Sequence, residues 1–267
     1  MRAHALCEGN AGACRYGDRM RTALVTGAGT GIGAATAAAL ATTCDRLILV
    51  GRRRDKLDAV AAQLVQDHDD VTADVRTCDL TDPAAVQALA DALSADGTAL
   101  DVLVANAGSV QPPLGDTLET LADAWMTTYR GNTLSAVLTV EALLPLVTRP
   151  GGRIVIVGSA GVRRGTGSPA YLAAKAALEG WIVTLMRRVA PDGITANVVA
   201  PGYTDDTELV AGRITPERRA RLLTGIAVGR PAQPSEIAHA IASLAAPEAG
   251  FVTGQVVTVD GGTVIPG

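Results

Sequence analysis

Residues 21–41 read RTALVTGAGTGIGAATAAALA: a short apolar run, a glycine-rich turn and an alanine-rich segment in immediate succession. Thr22-Ala23-Leu24-Val25-Thr26 has the length and composition of a buried β-strand, and residues 34–41 suit a helix. Between them, Thr26-Gly27-Ala28-Gly29-Thr30-Gly31-Ile32-Gly33 lets the chain turn sharply and lets a pyrophosphate approach the backbone. The free N–H groups at the start of the helix would meet the phosphate charge. Such a turn can also be purely structural, but its place after a first strand and at the opening of a helix favours a nucleotide.

The same alternation continues outward. Short β-branched runs recur near 46–50, 71–75, 100–105, 153–157, 194–199 and 255–259, separated by longer alanine-rich segments. Most are continuously apolar, as expected of strands covered by helices on both faces. The pattern predicts an α/β fold, a doubly wound parallel sheet of about seven strands with a ligand crevice at their carboxyl ends. Residues 21–267 read as one domain, with 1–20 as an N-terminal extension. A translation start at Met20 would explain that extension, and so would a poorly ordered tail. The polar stretch 203–230 breaks the rhythm after the sixth strand and is a candidate substrate lid.

Composition narrows the function. Apolar residues make up 48% and charged residues 19% of 267, so the chain can bury a large core. Lys+Arg 23 against Asp+Glu 27 leaves a net charge of −4, and aromatics are only 3%, which together disfavour a nucleic-acid partner. The most apolar stretch, 134–147, contains Glu141 and Pro145 and is shorter than the roughly 20 residues that span a bilayer. No membrane association is expected. Cys7, Cys14, Cys44 and Cys78 have neither metal spacing nor the density of a disulfide scaffold, which fits a reducing cytoplasm and no metal.

The second strand runs into Gly51-Arg52-Arg53-Arg54. In a nicotinamide-binding fold an acidic residue here would hold the ribose hydroxyls of NAD, whereas arginine accepts the extra phosphate of NADP. Arg52 and Arg53 therefore favour NADP(H) over NAD(H), against the plainer possibility of a solvated helix start.

Taken with further motifs in order, the chain resembles the short-chain dehydrogenase/reductase family over residues 22–262. Gly27, Gly29, Thr30, Gly31, Ile32 and Gly33 match its cofactor turn, and Cys78-Asp79-Leu80-Thr81-Asp82 is similar to its adenine-side segment. Asn106-Ala107-Gly108 resembles the motif that steadies the central sheet, with Ala105 in place of the usual first asparagine. Pro201-Gly202, with Thr204 just beyond, resembles the nicotinamide-side turn, and Val259-Asp260-Gly261-Gly262 the C-terminal ending. The resemblance implies a Rossmann-type sheet, binding of the adenine by Asp79 and Leu80, and a catalytic set of Asn132, Ser159, Tyr171 and Lys175.

Tyr171 and Lys175 are four residues apart and share one face of a helix. A free phenol titrates near ~10, and a neighbouring ammonium would lower that value towards neutrality. Ser159 ends the fifth strand, at the edge where the crevice is expected. By the resemblance, Lys175 also binds the nicotinamide ribose, Ser159 holds the substrate oxygen and Asn132 holds a water that relays protons. The implied reaction is hydride transfer between nicotinamide and a carbonyl or secondary alcohol of a small molecule, most simply reduction of a ketone or β-keto substrate. His4, His68 and His239 lie outside these motifs.

Two alternatives remain: a catalytically silent nicotinamide-binding regulator on the same fold, and a β-ketoacyl carrier-protein reductase. Against the second, Asp192 stands before Gly193-Ile194, where carrier-protein reductases commonly place a basic residue. Arg163 and Arg164 sit close in sequence to Ser159 and Tyr171, and either, if turned inward, would pair with a substrate carboxylate or phosphate; otherwise they belong to a solvated loop. The helices around Leu134–Leu144 and Tyr171–Leu185 are apolar on more than one face. Family members pair such helices between subunits, so the resemblance implies a homo-oligomer, a tetramer or a dimer.

Overall fold

The structure is a computed structural model and describes residues 20–109, 116–165, 167–205 and 215–263. The extension before Met20, with Cys7, Cys14 and His4, and residues 206–214 of the 203–230 stretch lie outside the described residues.

In the first half, β1 (Thr22–Thr26), α1 (Gly31–Leu40), β2 (Arg46–Gly51), α2 (Arg54–Asp67), β3 (Thr72–Thr77), α3 (Pro83–Ala95) and β4 (Val102–Ala105) alternate. Then come α4 (Leu118–Tyr129) and α5 (Ser135–Leu143), joined by a π-helical turn at Arg130–Leu134, followed by β5 (Arg153–Val157). A single helical turn, α6 (Gly161–Arg164), leads to the long α7 (Pro169–Val189) and β6 (Thr195–Pro201). The described chain closes with α8 (Pro216–Thr224), α9 (Pro234–Ala245) and β7 (Val256–Val259).

The strands form one parallel sheet in the order β3-β2-β1-β4-β5-β6-β7. The doubly wound α/β sheet expected from the sequence is therefore present. Alternate residues of each strand serve opposite faces, which is why the strands read as unbroken apolar runs. Leu24, Ile48, Leu103 and Ile154 pack with Leu89 of α3, Val140 of α5 and Leu178 of α7. Val25, Leu47, Val104 and Val155 pack with Leu40 of α1, Leu57 of α2 and Ile241 of α9 on the other face.

Several boundaries differ from the sequence expectation, three of them for a visible reason. β3 extends to Thr77, because an edge strand tolerates polar residues: Arg46 and Arg76 each reach Asp74 at 2.9 Å, and Arg76 also reaches Asp96 at 2.9 Å. Such charges protect an exposed sheet edge from pairing with another chain. β6 continues to Pro201, which pairs opposite Val259. The first helix begins at Gly31 rather than Ala34, since the turn glycines themselves supply its first turn.

The winding order reverses between β1 and β4, which run parallel: β2 and β3 lie on one side of β1, and β4 to β7 on the other. At such a switch point the loops diverge and leave a crevice at the carboxyl ends of the strands. Among the described residues, no helix is long and apolar enough to cross a membrane.

Candidate active site

A crevice of about 770 Å³ opens at that switch point. Its near wall is the turn from β1 into α1. Gly27 adopts φ +64°, which side chains other than glycine rarely take up, and a Cβ at Gly33 would lie 2.1 Å from the Gly27 carbonyl oxygen. Thr30 is the N-cap of α1 but makes no side-chain capping bond, so the first N–H groups of the helix face the crevice uncapped. This is a cradle for an anionic group, with backbone and dipole both favouring negative charge.

Asn106, just past β4, locks the cradle in place. Its side-chain Nδ2 donates to the Thr26 carbonyl at 2.9 Å, and its backbone N–H donates to Thr26 Oγ1 at 2.9 Å. The N–H of Ala107 donates to the same hydroxyl at 3.0 Å. The turn after β1 and the turn after β4 are thereby joined, with Ala105 buried in the strand before them.

Arg52, Arg53 and Lys56 border one end of the crevice, opposite Asp79. Asp79 Oδ1 accepts from the Thr81 N–H at 3.0 Å and the Thr81 hydroxyl at 2.8 Å. These bonds, helped by Arg52, hold its carboxyl below the usual range. Three cations at this end suit a nucleotide bearing an extra phosphate on its adenosine ribose. Lys56 did not emerge from the sequence, although its position three residues after Arg53, in the first turn of α2, carries it to the same side.

At the other end, the π-helical turn between α4 and α5 carries Asn132, which is wholly buried. Its Nδ2 donates to the carbonyls of Thr128 at 3.0 Å and Ser109 at 3.2 Å, and its Oδ1 accepts from the Ser109 N–H at 3.2 Å. Thr133 Oγ1 donates to the Ala174 carbonyl at 2.6 Å, tying this turn to α7. Ser109 borders the crevice as well, and only its place after Asn106-Ala107-Gly108 could have announced it.

Ser159 follows β5, where its Oγ accepts from the Gly161 N–H at 3.2 Å. Tyr171 and Lys175 stand one turn apart on α7, as their spacing requires. Lys175 is 4% exposed, and its Nζ donates to the Val157 carbonyl at 2.8 Å while lying 6.0 Å from the centre of the Tyr171 ring.

Here one expectation is corrected. Lys175 does not draw the Tyr171 phenol below its ordinary value: burial pushes that phenol up, and the Ser159 hydroxyl offsets only part of the rise. Burial also brings Lys175 down to about 8. Both groups have lost water, so each favours its neutral form, and the ammonium spends a hydrogen bond on a backbone carbonyl.

Every residue singled out in the sequence for the cofactor or for catalysis borders this one crevice: Gly27 to Gly33 apart from Ala28, Arg52, Arg53, Asp79, Leu80, Asn106 to Gly108, Asn132, Ser159, Tyr171, Lys175, Pro201, Gly202 and Thr204. Tyr203 and Leu222, from the 203–230 stretch, border it too, and Leu222 carried no sequence signal. Of the adjacent arginines, Arg164 borders the crevice, whereas Arg163 Nη2 lies 3.7 Å from Glu179 Oε2 on α7. His68 and His239 do not border it.

Comparison with known proteins is decisive about kinship. Residues 27–264 match the family described as enoyl-(acyl carrier protein) reductase. The chain is 33% identical over 244 residues to 3-oxoacyl-[acyl-carrier-protein] reductase FabG of Escherichia coli (strain K12), covering 91% of this chain and 96% of that protein. The chain belongs to the short-chain dehydrogenase/reductase family.

This short-chain dehydrogenase/reductase is accordingly an oxidoreductase acting on C=O and CH–OH groups. It is also 40% identical over 246 residues to cis-4-hydroxycyclohexanecarboxylate dehydrogenase of Sinomonas cyclohexanicum, covering 91% of this chain and 96% of that one. Among solved structures, a short-chain dehydrogenase from Burkholderia cenocepacia J2315 in complex with NADP superimposes with TM-score 0.80 at 32% identity, over 91% of this chain and 97% of that one. A blue fluorescent protein from a metagenomic library, in complex with NADPH, does so with TM-score 0.80 at 31% identity, over 92% and 98%.

Proposed function

We propose that this enzyme is an NADP(H)-dependent reductase of a ketone or β-keto substrate, with residues 21–267 forming one catalytic domain. The observation that carries the proposal is the convergence of Ser159, Tyr171 and Lys175 on a crevice whose far end is bordered by Arg52, Arg53 and Lys56. The nicotinamide, when bound, supplies the hydride. Tyr171 donates its phenolic proton to the carbonyl oxygen as negative charge develops there, and Ser159 donates a hydrogen bond to that oxygen. Because burial raises the phenol, Tyr171 is protonated at neutral pH and carries the proton to be transferred. Lys175 positions the nicotinamide ribose and replaces the phenolic proton, drawing on a water held by Asn132. Gly27, Gly29, Thr30, Gly31, Ile32 and Gly33 cradle the pyrophosphate, Asp79 and Leu80 hold the adenine, and Asn106, Ala107, Gly108, Pro201, Gly202 and Thr204 border the nicotinamide half.

Between a free carbonyl compound and an acyl-carrier thioester, the former is favoured. Asp192 is paired with Arg149, whose Nε lies 3.0 Å from Asp192 Oδ2, so this position offers an acidic carrier a carboxylate and a cation already compensated by it. The alicyclic alcohol named for the Sinomonas relative makes 4-oxocyclohexanecarboxylate an apt member of a first substrate panel.

The enzyme is further proposed to be cytoplasmic and a homotetramer, or failing that a dimer. Trp125, Met126 and Tyr129 on α4 and Val183 on α7 are exposed apolar side chains on helices that pack side by side. Light scattering at micromolar concentration tests the assembly.

Paired titrations with NADPH and NADH, followed by turnover on ketones and β-keto esters, test the activity. The expected result is tighter binding of NADPH and an NADPH oxidation that Tyr171→Phe abolishes while leaving nucleotide affinity intact. Turnover that survives in Tyr171→Phe would remove the tyrosine from its role, and failure to bind either nucleotide would overturn the proposal.

A further inference from the structure

The crevice has two chemically different ends. On the β2 and β3 side, three cations face one carboxylate, Asp79. On the β5 and β6 side, where Ser159 and Tyr171 stand, the charged bordering side chains among the described residues are Lys175 and Arg164, with no carboxylate to answer them. Lys175 is buried, and its Nζ is engaged by the Val157 carbonyl. Among the described residues, Arg164 is therefore the cation that this end offers to a substrate.

Its surroundings leave most of its binding capacity open. Arg164 Nη2 donates to the carbonyl of Leu222, in the last turn of α8, at 3.3 Å. A guanidinium has five N–H donors, and no ion pair or further hydrogen bond of this side chain occurs among the described residues. Next to it, Gly225 leaves room for the guanidinium: a Cβ there would lie 2.5 Å from Nη2. The adjacent Arg163 behaves differently, since it turns away to Glu179. Two arginines side by side in sequence thus divide into one that serves the packing of α6 on α7 and one held at the substrate end between α6 and α8.

We propose that Arg164 anchors a carboxylate of the substrate, so that the enzyme acts on an oxo acid or hydroxy acid in preference to a neutral ketone; this rests on the proposed carbonyl chemistry at Ser159 and Tyr171. The planar guanidinium matches a carboxylate with two parallel N–H···O bonds, and it stays charged at every working pH. A carboxylate fixed there at one end of the substrate would hold the carbonyl in register with Ser159 and Tyr171 at the other, which is how remote binding contributes to orientation. The crevice also attracts anions as a whole, although the chain carries a net charge of −4.

The test is calorimetric titration of 4-oxopentanoate and its neutral amide, 4-oxopentanamide, into the NADP⁺-loaded protein. The acid should bind at least about tenfold tighter than the amide, the usual effect of a charge-assisted pair. Arg164→Gln should abolish that preference, Arg164→Lys should keep part of it, and Arg163→Gln should leave it intact. NADP⁺ affinity should stay within about twofold in all three, as expected for residues remote from the cofactor end. If Arg164 only caps the last turn of α8, Arg164→Gln will lower thermal stability and leave the acid-to-amide ratio unchanged, which overturns the proposal. Equal binding of acid and amide by the wild type, or no binding of the acid, overturns it as well. Because binding needs no turnover, a protein that takes the acid yet reduces no carbonyl compound would overturn the reductase proposal and leave Arg164 standing. Reduction of neutral ketones without acid preference would do the reverse.

Discussion

Asn106 and Thr26 are bonded twice, side chain to carbonyl and backbone N–H to hydroxyl, each at 2.9 Å, across the turns that follow β4 and β1. Thr26 is 1% exposed, so neither bond can be replaced by bulk water. Asn106→Ala should therefore cost about 1–3 kcal/mol, the range for a buried polar group left without its partner. It should also loosen the phosphate cradle, since Asn106 Nδ2 lies 3.4 Å from the Gly27 carbonyl. Thermal unfolding and NADPH titration of one variant read both effects, and an unchanged melting temperature would show that the two turns are held elsewhere.

Gly33→Ala should damage nucleotide binding more than stability. Its methyl group would meet the Gly27 carbonyl oxygen at 2.1 Å and Asn106 Nδ2 at 2.6 Å, so the turn must open. Backbone cannot step aside as a flexible side chain can, and the displaced N–H groups are those that would hold the pyrophosphate. A rise in the Kd for both NADPH and NADH by at least about tenfold is expected, because the pyrophosphate is common to the two.

Discrimination between the two nucleotides should reside in the opposite corner. Arg52→Ala and Lys56→Ala should each raise the Kd for NADPH by about 10–100-fold, the value of a charge-assisted bond to phosphate. The Kd for NADH should change by no more than about twofold. Parallel titration with the two nucleotides checks this, and an equal loss for both would move the site of discrimination away from these residues.

Lys175 should leave a signature in stability as well as activity. Burial lowers it to about 8 from the ordinary 10.5, so between those pH values the unfolded chain holds a proton at this position that the folded chain has released. The contribution of Lys175 to stability consequently rises with pH across that window, by at most about 1.4 kcal/mol per pH unit. Below pH 8 both states are protonated and the burial cost is constant. Comparison with Lys175→Met isolates this group, because Tyr171 and Cys44, whose raised values act in the opposite sense at high pH, are present in both proteins. Denaturant unfolding from pH 8 to 10 should show the wild type gaining on the variant, and parallel curves would mean that Lys175 titrates normally.

Local chemistry settled much of this protein in advance. A short β-branched apolar run bounded by turn residues fits a strand covered on both faces, and Leu24 and Val25 do enter opposite cores, as consecutive strand residues must. Gly27 to Gly33 announce their turn because glycine readily accepts φ +64° at Gly27 and leaves space for the close approach at Gly33. Tyr171 and Lys175 declare a shared face through their spacing. All of these are short-range relationships, written in residues that are neighbours along the chain.

What the sequence could not carry is whatever depends on distant segments meeting. Spacing puts Lys56 on the side of Arg53, but it reaches the crevice because α2 folds back beside the β1 turn, where its Cβ lies 3.0 Å from the position a Cβ at Gly29 would take. Burial of Tyr171 and Lys175, which reverses the titration expected of Tyr171 beside a solvated ammonium, comes from packing of α7 against α4, β6 and the π-helical turn. The separate fates of Arg163 and Arg164 likewise depend on Glu179 and Leu222, 16 and 58 residues away. Electrostatic environment is a property of three-dimensional surroundings, so the tertiary structure alone decided which of these charges border the crevice.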